Sequence, residues 1–388
     1  MLMIRQLIHL ASPTMSDSMA SRSYSINFMG DTMLGRLIDQ LLPIHVHEPE
    51  AARIVSSIRA SAGPTSHLVG YNDSTIWGNT LSVLQSADLN FLNLETSVTT
   101  HAVKWPTKVF NYRMHPANIS ALQVAGIHYA GLANNHTLDF REEGLLETAK
   151  TVKAAGIAFA GAGENEDEAT KPAILYFSGE ESEIEHEIHV WAASDHPSDW
   201  AKVRTFHFID YTPQIRARLK KLLTAPTSND AALKVFSVHW GPNYSWQPAD
   251  EIRDLAHFLV DECGIDIVHG HSSHHVQGVE VYAGKLIIYG CGDFVDDYAV
   301  VPGYRNDLSA VWRVSVENDV TRAQGRLVVK RLEIFPTIIE QFRVRLLEAN
   351  EADSKWTRKK IIDLSTERGS EVQIQDDGKG RLLLEMPG

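Results

Sequence analysis

Polar and apolar residues alternate through Tyr24-Ser25-Ile26-Asn27-Phe28-Met29, the period of a β-strand, and the run stops at Gly30-Asp31. Down to about residue 300 the chain repeats one pattern: a short apolar stretch, a small or polar terminus, then a helical segment. Periodicity predicts helices over residues 48–60, 75–87, 117–125, 142–155, 214–224 and 250–262. Gly126 and Gly156 stand where helix C-caps belong. Between the helices lie apolar strands at 88–92, 127–132, 157–160, 188–193, 234–238, 265–268 and 286–289. Strands alternating with helices predict an α/β layered core. The acid-rich tract 164–187 reads as a solvated connection around one strand, 173–177. Residues 195–210 read as irregular. After Arg305 the alternation ends. Residues 308–316, 325–334 and 372–386 read as strands or hairpins, with one helix near 354–364. They predict an antiparallel flank that completes the sheet or covers the site.

The chemistry gathers at the strand ends. An apolar run from Ile265 reaches a small-residue turn where His269, His271, His274 and His275 crowd together. Neutral imidazole is the commonest metal-ligating side chain. Taken singly, such a stretch is also a polar surface loop, and Asp31 alone is also a helix N-cap. The other strand ends shift that balance. One strand ends at Asp31, the next at Asn93 and Glu95, another at Asn135 and His136, another at His239, and the last at His271 and His274. Carboxylates and imidazoles are costly to gather without a partner, and a metal supplies one. Asp, Glu, Asn and His together, without Cys, suit divalent ions such as Mn, Fe or Zn. The ligand set exceeds a simple four-ligand site and suits two ions roughly 3.5–4 Å apart. With Asp31 and Glu95 as the only anionic ligands, two such ions leave a surplus of about +2. That surplus draws a phosphate, a carboxylate or a developing oxyanion. Arg36, Arg113 and Arg305 are candidates to bind such an anion, with a surface or structural role equally open. The loop 99–116 adds Lys104 and Lys108.

Composition narrows the picture further. The 388 residues suffice for one large α/β domain or for two. A formal net charge of −13 argues against a nucleic-acid or anionic-membrane binder. Two cysteines, Cys263 and Cys291, make no disulfide framework, so a reducing, cytoplasmic setting is the simpler expectation. No apolar run reaches about 18 residues, so no membrane span is expected. Residues 1–23 read as an unstructured leader, with a transit peptide as the alternative.

In this order and at these spacings, Gly30-Asp31-Thr-Met-Leu-Gly-Arg36, Asn93-Leu-Glu95, Ala133-Asn-Asn-His136 with Asp139, His239-Trp-Gly, Gly270-His271-Ser-Ser-His274 and Gly290-Cys-Gly-Asp-Phe294 resemble the CapA family. These are poly-γ-glutamate capsule proteins of the calcineurin-like metallophosphoesterase superfamily. The resemblance covers about residues 24–310, leaving 311–388 as a β-rich extension packed on that domain. It implies a four-layer α/β/β/α sandwich. It also implies that Asp31 binds a first ion, completed by His274. Glu95 would bridge, with Asn93 the alternative, while Asn135, His239 and His271 would bind a second ion. His136 would protonate the leaving group, oriented by Asp139. There are two departures. Met33 stands where the superfamily carries a third-position His, so the first ion loses a ligand. Asp293 stands where many relatives carry Asn; it reads as a turn residue, with an added acid near the site as the alternative. The implied activity is attack of a metal-bound hydroxide on a phosphoester or a γ-glutamyl-like amide of a small anionic substrate. The alternative is a non-catalytic accessory that binds an anionic polymer or a synthetase.

Overall fold

The computed structural model describes residues 22–178, 184–226, 231–319, 325–367 and 374–387. Nearly all of the expected leader, and the start of the hairpin expected at 372–386, lie outside the described residues. The opening strand is β1 (Ser23–Thr32), buried on both faces from Ile26 onward. It leads into helices α1 (Arg36–Leu41) and α2 (Pro49–Ser61). The single helix expected at 75–87 is instead two, α3 (Asp73–Trp77) and α4 (Leu81–Leu84). The break falls at Gly78, with φ of 51°, where a Cβ would lie 2.5 Å from the Val344 carbonyl oxygen. The chain passes too close to its neighbour there for a continuous helix.

The first sheet grows outward from β1. Its parallel neighbours are β2 (Leu89–Leu94), then, beyond the short β3 (Ser97–Val98) and β4 (Arg113–Met114) and helix α5 (Ser120–Val124), β5 (Tyr129–Gly131). Helix α6 (Arg141–Ala154) connects to the edge strand β6 (Ala158–Ala160). The acid-rich tract is more structured than expected. It holds helix α7 (Glu166–Thr170), strand β7 (Ala173–Ser178) and the start of β8 (Ile184–Ser194), which pairs antiparallel with β7. The strand expected at 188–193 begins earlier than its apolar run suggests, because alternating acids disguise its first residues; one face of it buries His186, Ile188 and Val190.

The second sheet carries the later α/β units. Helix α8 (Pro213–Leu223) precedes β9 (Leu233–His239), and α9 (Asp250–Asp261) precedes β10 (Ile267–His271). Strands β11 (Val279–Tyr282) and β12 (Lys285–Ile288) close this sheet in the order β11-β12-β10-β9-β8-β7. The chain then returns to the first sheet as β13 (Asp293–Val295), parallel to β1. Next come β14 (Leu308–Asn318), β15 (Leu327–Glu340) and β16 (Arg343–Leu346). Helix α10 (Ala352–Thr366) and strands β17 (Gln375–Asp376) and β18 (Leu382–Glu385) follow. β14 pairs antiparallel with β1 from Ser23 to Phe28, so this part of the chain completes the first sheet.

The two sheets face each other. Tyr24 of β1 stacks on Phe177 of β7 at 4.4 Å, and Phe28 meets His269 of β10 at 5.1 Å. One apolar cluster joins their inner faces to Leu84, Leu122 and Val152 of α4, α5 and α6. A second joins the outer face of the six-stranded sheet to Leu219, Leu255 and Leu259 of α8 and α9. Helices, sheet, sheet, helices is the four-layer sandwich expected. The parallel strands of both sheets end at the same edge, where α/β proteins place their ligands.

Candidate metal centre

Two groups of ligand atoms meet at that edge. Asp31, Glu95, His274 and Asp293 form one; Asp31, His239 and His271 form the other. Within each group the atoms lie within 4.8 Å of one another, and Asp31 belongs to both. Strand pairing explains the meeting. Asp31 is level with Asn93 across β1 and β2, and His239 with His271 across β9 and β10. The β1–β2 register shifts between Phe28 and Asp31, a bulge of the kind that re-aims a side chain at a site. The turn after β10 carries Ser272 and His274 at φ of 99° and 61°, strain that the flanking strands hold in place.

Asp31 is fixed by two donors. Asn93 Nδ2 reaches Oδ1 at 2.8 Å and the Ser272 backbone N–H reaches Oδ2 at 3.1 Å. Asn93 spends its own carbonyl oxygen on Asn134 Nδ2 at 3.1 Å. Asn93 thus donates to Asp31 and accepts from Asn134. His239 Nδ1 and His271 Nδ1 approach to 2.9 Å, each 3.8 Å from Asp31 Oδ1. His274 Nδ1 lies 3.6 Å from Asp31 Oδ2 and 2.8 Å from Asp293 Oδ1. Asp293 is no exposed turn residue. It is fully buried among the ligand candidates, because β13 runs parallel to β1 and sets it level with Asp31.

A chain of hydrogen bonds sets the tautomer of His271. The Met29 carbonyl can only accept, so His269 Nε2, 2.9 Å away, must carry a proton. His269 Nδ1 then accepts from the Ser237 hydroxyl at 3.1 Å. Ser237 Oγ in turn accepts from His271 Nε2 at 3.1 Å. The lone pair of His271 is left on Nδ1, facing Asp31. Such outer partners fix ring orientation and tautomer. Ser237→Ala should weaken metal binding by about 10-fold while the fold persists. Titration of the stripped protein with manganese checks this, and unchanged affinity would count against the relay.

The electrostatics ask for a cation. Burial raises the Asp31 carboxyl above its usual range. Burial, and then the charge of Asp31, push Glu95 and Asp293 well above theirs. Burial also holds His239 and His271 well below the usual imidazole value, which leaves them neutral with lone pairs to donate. Both Glu95 oxygens, Asn135 Oδ1 and His239 Nε2 are buried without a hydrogen-bond partner. Oxygen and nitrogen donors left bare in this way fit a hard or borderline divalent ion.

His136 stands beside the cluster. Its Nδ1 is 2.6 Å from Asp139 Oδ2, its ring stacks on Tyr112 at 4.1 Å, and its Nε2 faces Glu95 Oε1 at 3.8 Å. Lys108, named in the sequence only as part of a loop, bonds the other Asp139 oxygen and lies 2.9 Å from His136 Nδ1. Burial lowers His136 to about 4, against the pull of Asp139. Of the arginines, Arg36 remains near this corner, its guanidinium 5.1 Å from the Tyr112 ring centre and 3.4 Å from Asp297. Arg113 and Arg305 are corrected. Arg113 is buried, bound to Glu48 at 2.7 Å and to the carbonyls of Thr100 and His101. Arg305 is held by Asp307 and Asp353. Neither keeps a free fork for substrate. The segment read as irregular supplies one more imidazole. His196 bonds Asp195, and its ring sits 4.9 Å from that of His239. Its signal was the same as elsewhere, a strand ending in Asp-His, and it lay in plain view.

A two-sheet α/β sandwich with carboxylates and imidazoles clustered at its parallel strand ends defines a layered protein with a candidate divalent-metal centre. The bacterial capsule synthesis protein family, PGA_cap, matches residues 25–298. The chain belongs to that family. It is 34% identical over 365 residues to the probable polyglutamine synthesis accessory protein Rv0574c of Mycobacterium tuberculosis H37Rv, covering 90% of this chain and 93% of the relative. It is 25% identical to the PGA biosynthesis protein CapA of Bacillus subtilis strain 168, over 73% of this chain and 65% of that one. Among solved structures it is similar to the calcineurin-like phosphoesterase YfkN from Bacillus subtilis, at a TM-score of 0.40 and 14% identity, over 80% of this chain and 88% of that chain. Among the described residues no helix is long and apolar enough to cross a membrane.

Proposed function

We propose that the chain is a metal-dependent hydrolase of the CapA type. Its bond is a phosphoester or a γ-glutamyl-like amide of a small anionic substrate. Asp31, Glu95 and His274 would hold one divalent ion, and Asn135, His239 and His271, with Asp31 or Glu95, a second; Mn, Fe or Zn suits this set. Bound there, the ions would supply Lewis-acid charge and make water reactive. The remaining steps belong to the chain. Asp139, 2.6 Å from Nδ1, would hold the ring with its proton there, which leaves Nε2 facing the cluster and Lys108 bonded to Asp139 rather than to the ring. There Nε2 would take up the proton released by the attacking water and pass it to the leaving group. Arg36 would meet the substrate anion at the rim. The observation that carries this reading is the meeting of two buried ligand groups at Asp31, with both Glu95 oxygens left without partners, next to a carboxylate-held histidine. Two buried, unpaired thiols, Cys263 and Cys291, are in keeping with a reducing compartment such as the cytoplasm.

The test is a screen of manganese-loaded protein against bis(p-nitrophenyl) phosphate and γ-glutamyl-p-nitroanilide side by side, with Asp31→Asn as control. Turnover of either probe that vanishes in the control supports the hydrolase. The second reading, a non-catalytic accessory, draws on the names of the mycobacterial relatives. Less than one ion bound per chain, with stability indifferent to chelation, would favour it.

A further inference from the structure

We infer that Asp293 supplies the first ion's ligand that Met33 cannot, and that its extra negative charge turns the centre away from phosphate and toward an uncharged acyl bond. This rests on the metal-dependent reading above and narrows its substrate class.

The replacement is built into strand pairing. Met33 is fully buried, and its thioether is a soft, weak donor for a hard ion. Its backbone N–H donates to the Val295 carbonyl at 2.9 Å. That bond, together with Asp31 N–H to the Gly292 carbonyl at 3.1 Å, holds the 292–295 segment along the end of β1. The approach is so close that a Cβ on Gly30 would lie 1.9 Å from the Gly292 carbonyl oxygen. Asp293 is thereby level with Asp31 and arrives at the ion from the adjacent strand. Position 33 loses a ligand, and the strand beside it brings one.

Asp293 is placed as a ligand is placed. Its Oδ1 is 2.8 Å from His274 Nδ1, its carboxyl also meets the side chains of Asp296 and Asn306, and both oxygens of Glu95 in the same group are buried without a hydrogen-bond partner. The direct ion-pair contacts of Glu95 and Asp293 among the described residues are with His136 and His274, and Lys108 acts on Glu95 from farther off. Asp296 is buried beside it as a further acid. A site that gathers this much anionic charge out of water is organised for a cation.

The charge balance decides what else binds. Two divalent ions against Asp31 and Glu95 leave a surplus of about +2, and a third carboxylate lowers it to about +1. An anionic phosphoester or phosphate feels that loss directly at short range and low dielectric. A neutral amide carbonyl does not depend on net charge to bind and needs only the local polarisation each ion provides. Asp293 thus discriminates between the two bond classes left open above.

The experiment uses the full chain, stripped and then titrated with manganese, followed by titration of the loaded protein with inorganic phosphate. Asp293→Asn is expected to weaken one manganese site by about 10-fold or more, as loss of a charged ligand does, and to tighten phosphate binding by about 10-fold. Asp293→Glu, which keeps the charge, is expected to leave phosphate binding weak even if its longer reach loosens the metal. Manganese affinity unchanged in Asp293→Asn overturns the assignment as a ligand. Phosphate affinity unchanged in that variant, or tightened equally in Asp293→Glu, overturns the role of charge. A wild-type chain that takes up no manganese overturns the metal-dependent reading itself, a different result from either of these.

Discussion

His136→Ala should lower turnover of whichever probe the protein hydrolyses by about 10²–10⁴-fold, the usual contribution of a positioned proton donor, with metal content unchanged. The geometry separates the two readouts. His136 Nε2 looks at Glu95 from 3.8 Å, while Nδ1 is taken by Asp139. The ring therefore borders the ion cluster and is absent from both groups of metal-ligand candidates. Burial keeps it neutral down to about 4, so near neutral pH it enters the reaction as an imidazole that must gain its proton within the catalytic cycle. Asp139 prepares it for that by stabilising the charged form. Asp139→Asn should give a smaller loss in the same direction, because the ring keeps a partner of the same shape. Metal analysis beside the kinetics is decisive: if His136→Ala loses ions as well as turnover, this histidine is a ligand and its assignment as proton donor is wrong.

Chelation should leave a protein that becomes less stable as the pH rises above about 6.5, the ordinary value of the buried histidines, whereas the manganese-loaded protein should not. Glu95, Asp293 and Asp296 have folded-state values well above the ordinary 4.5 and 3.8, chiefly through burial. Above those ordinary values the folded chain binds more protons than the unfolded chain. Stability from these groups is present at low pH and is lost as the pH climbs through their folded-state values. The buried histidines work in the opposite sense. His136, His269 and His275 fall from 6.5 to about 4, again through burial, so they add stability as pH rises and finish doing so near 6.5. Above that point the carboxylates are opposed by Lys108 and Lys234, whose values burial lowers and which add stability as pH rises. Metal ions bind only the ionised carboxylates, so the gap between loaded and stripped protein should widen with pH. Thermal melts in EDTA and in manganese across this range measure it. A stripped protein whose melting temperature is flat over the window would mean that these carboxylates are not forced to share the cluster unshielded.

Much of the architecture could be read along the chain, because burial of a strand or helix face leaves a periodic trace in the residues themselves. The alternation at Tyr24 to Met29, the helix ending at Gly126 and the apolar runs before His239 and His271 are local facts, and the structure has strands and a helix end there. The idea that strand ends carry the chemistry was equally local, and Asp31, Glu95, His239, His271 and His274 are indeed brought together. Where the periodic trace was masked, the reading failed. Acids on alternate positions hid the first residues of β8, which starts at Ile184 rather than Ile188, and a close approach to Val344 broke a helix at Gly78 that periodicity ran straight through.

What only the tertiary structure decided is which donor faces which partner. Nothing near Asn93 in the chain says that Asn134 takes its oxygen and leaves its nitrogen for Asp31. Nothing near Arg113 announces Glu48, and nothing near Lys108 announces Asp139. Asp293 looks like a turn residue until β13 is laid parallel to β1. Residue type and spacing record what one segment needs in order to be buried. The role of a polar side chain depends on groups delivered by other segments, and these meet only once two sheets have closed on each other.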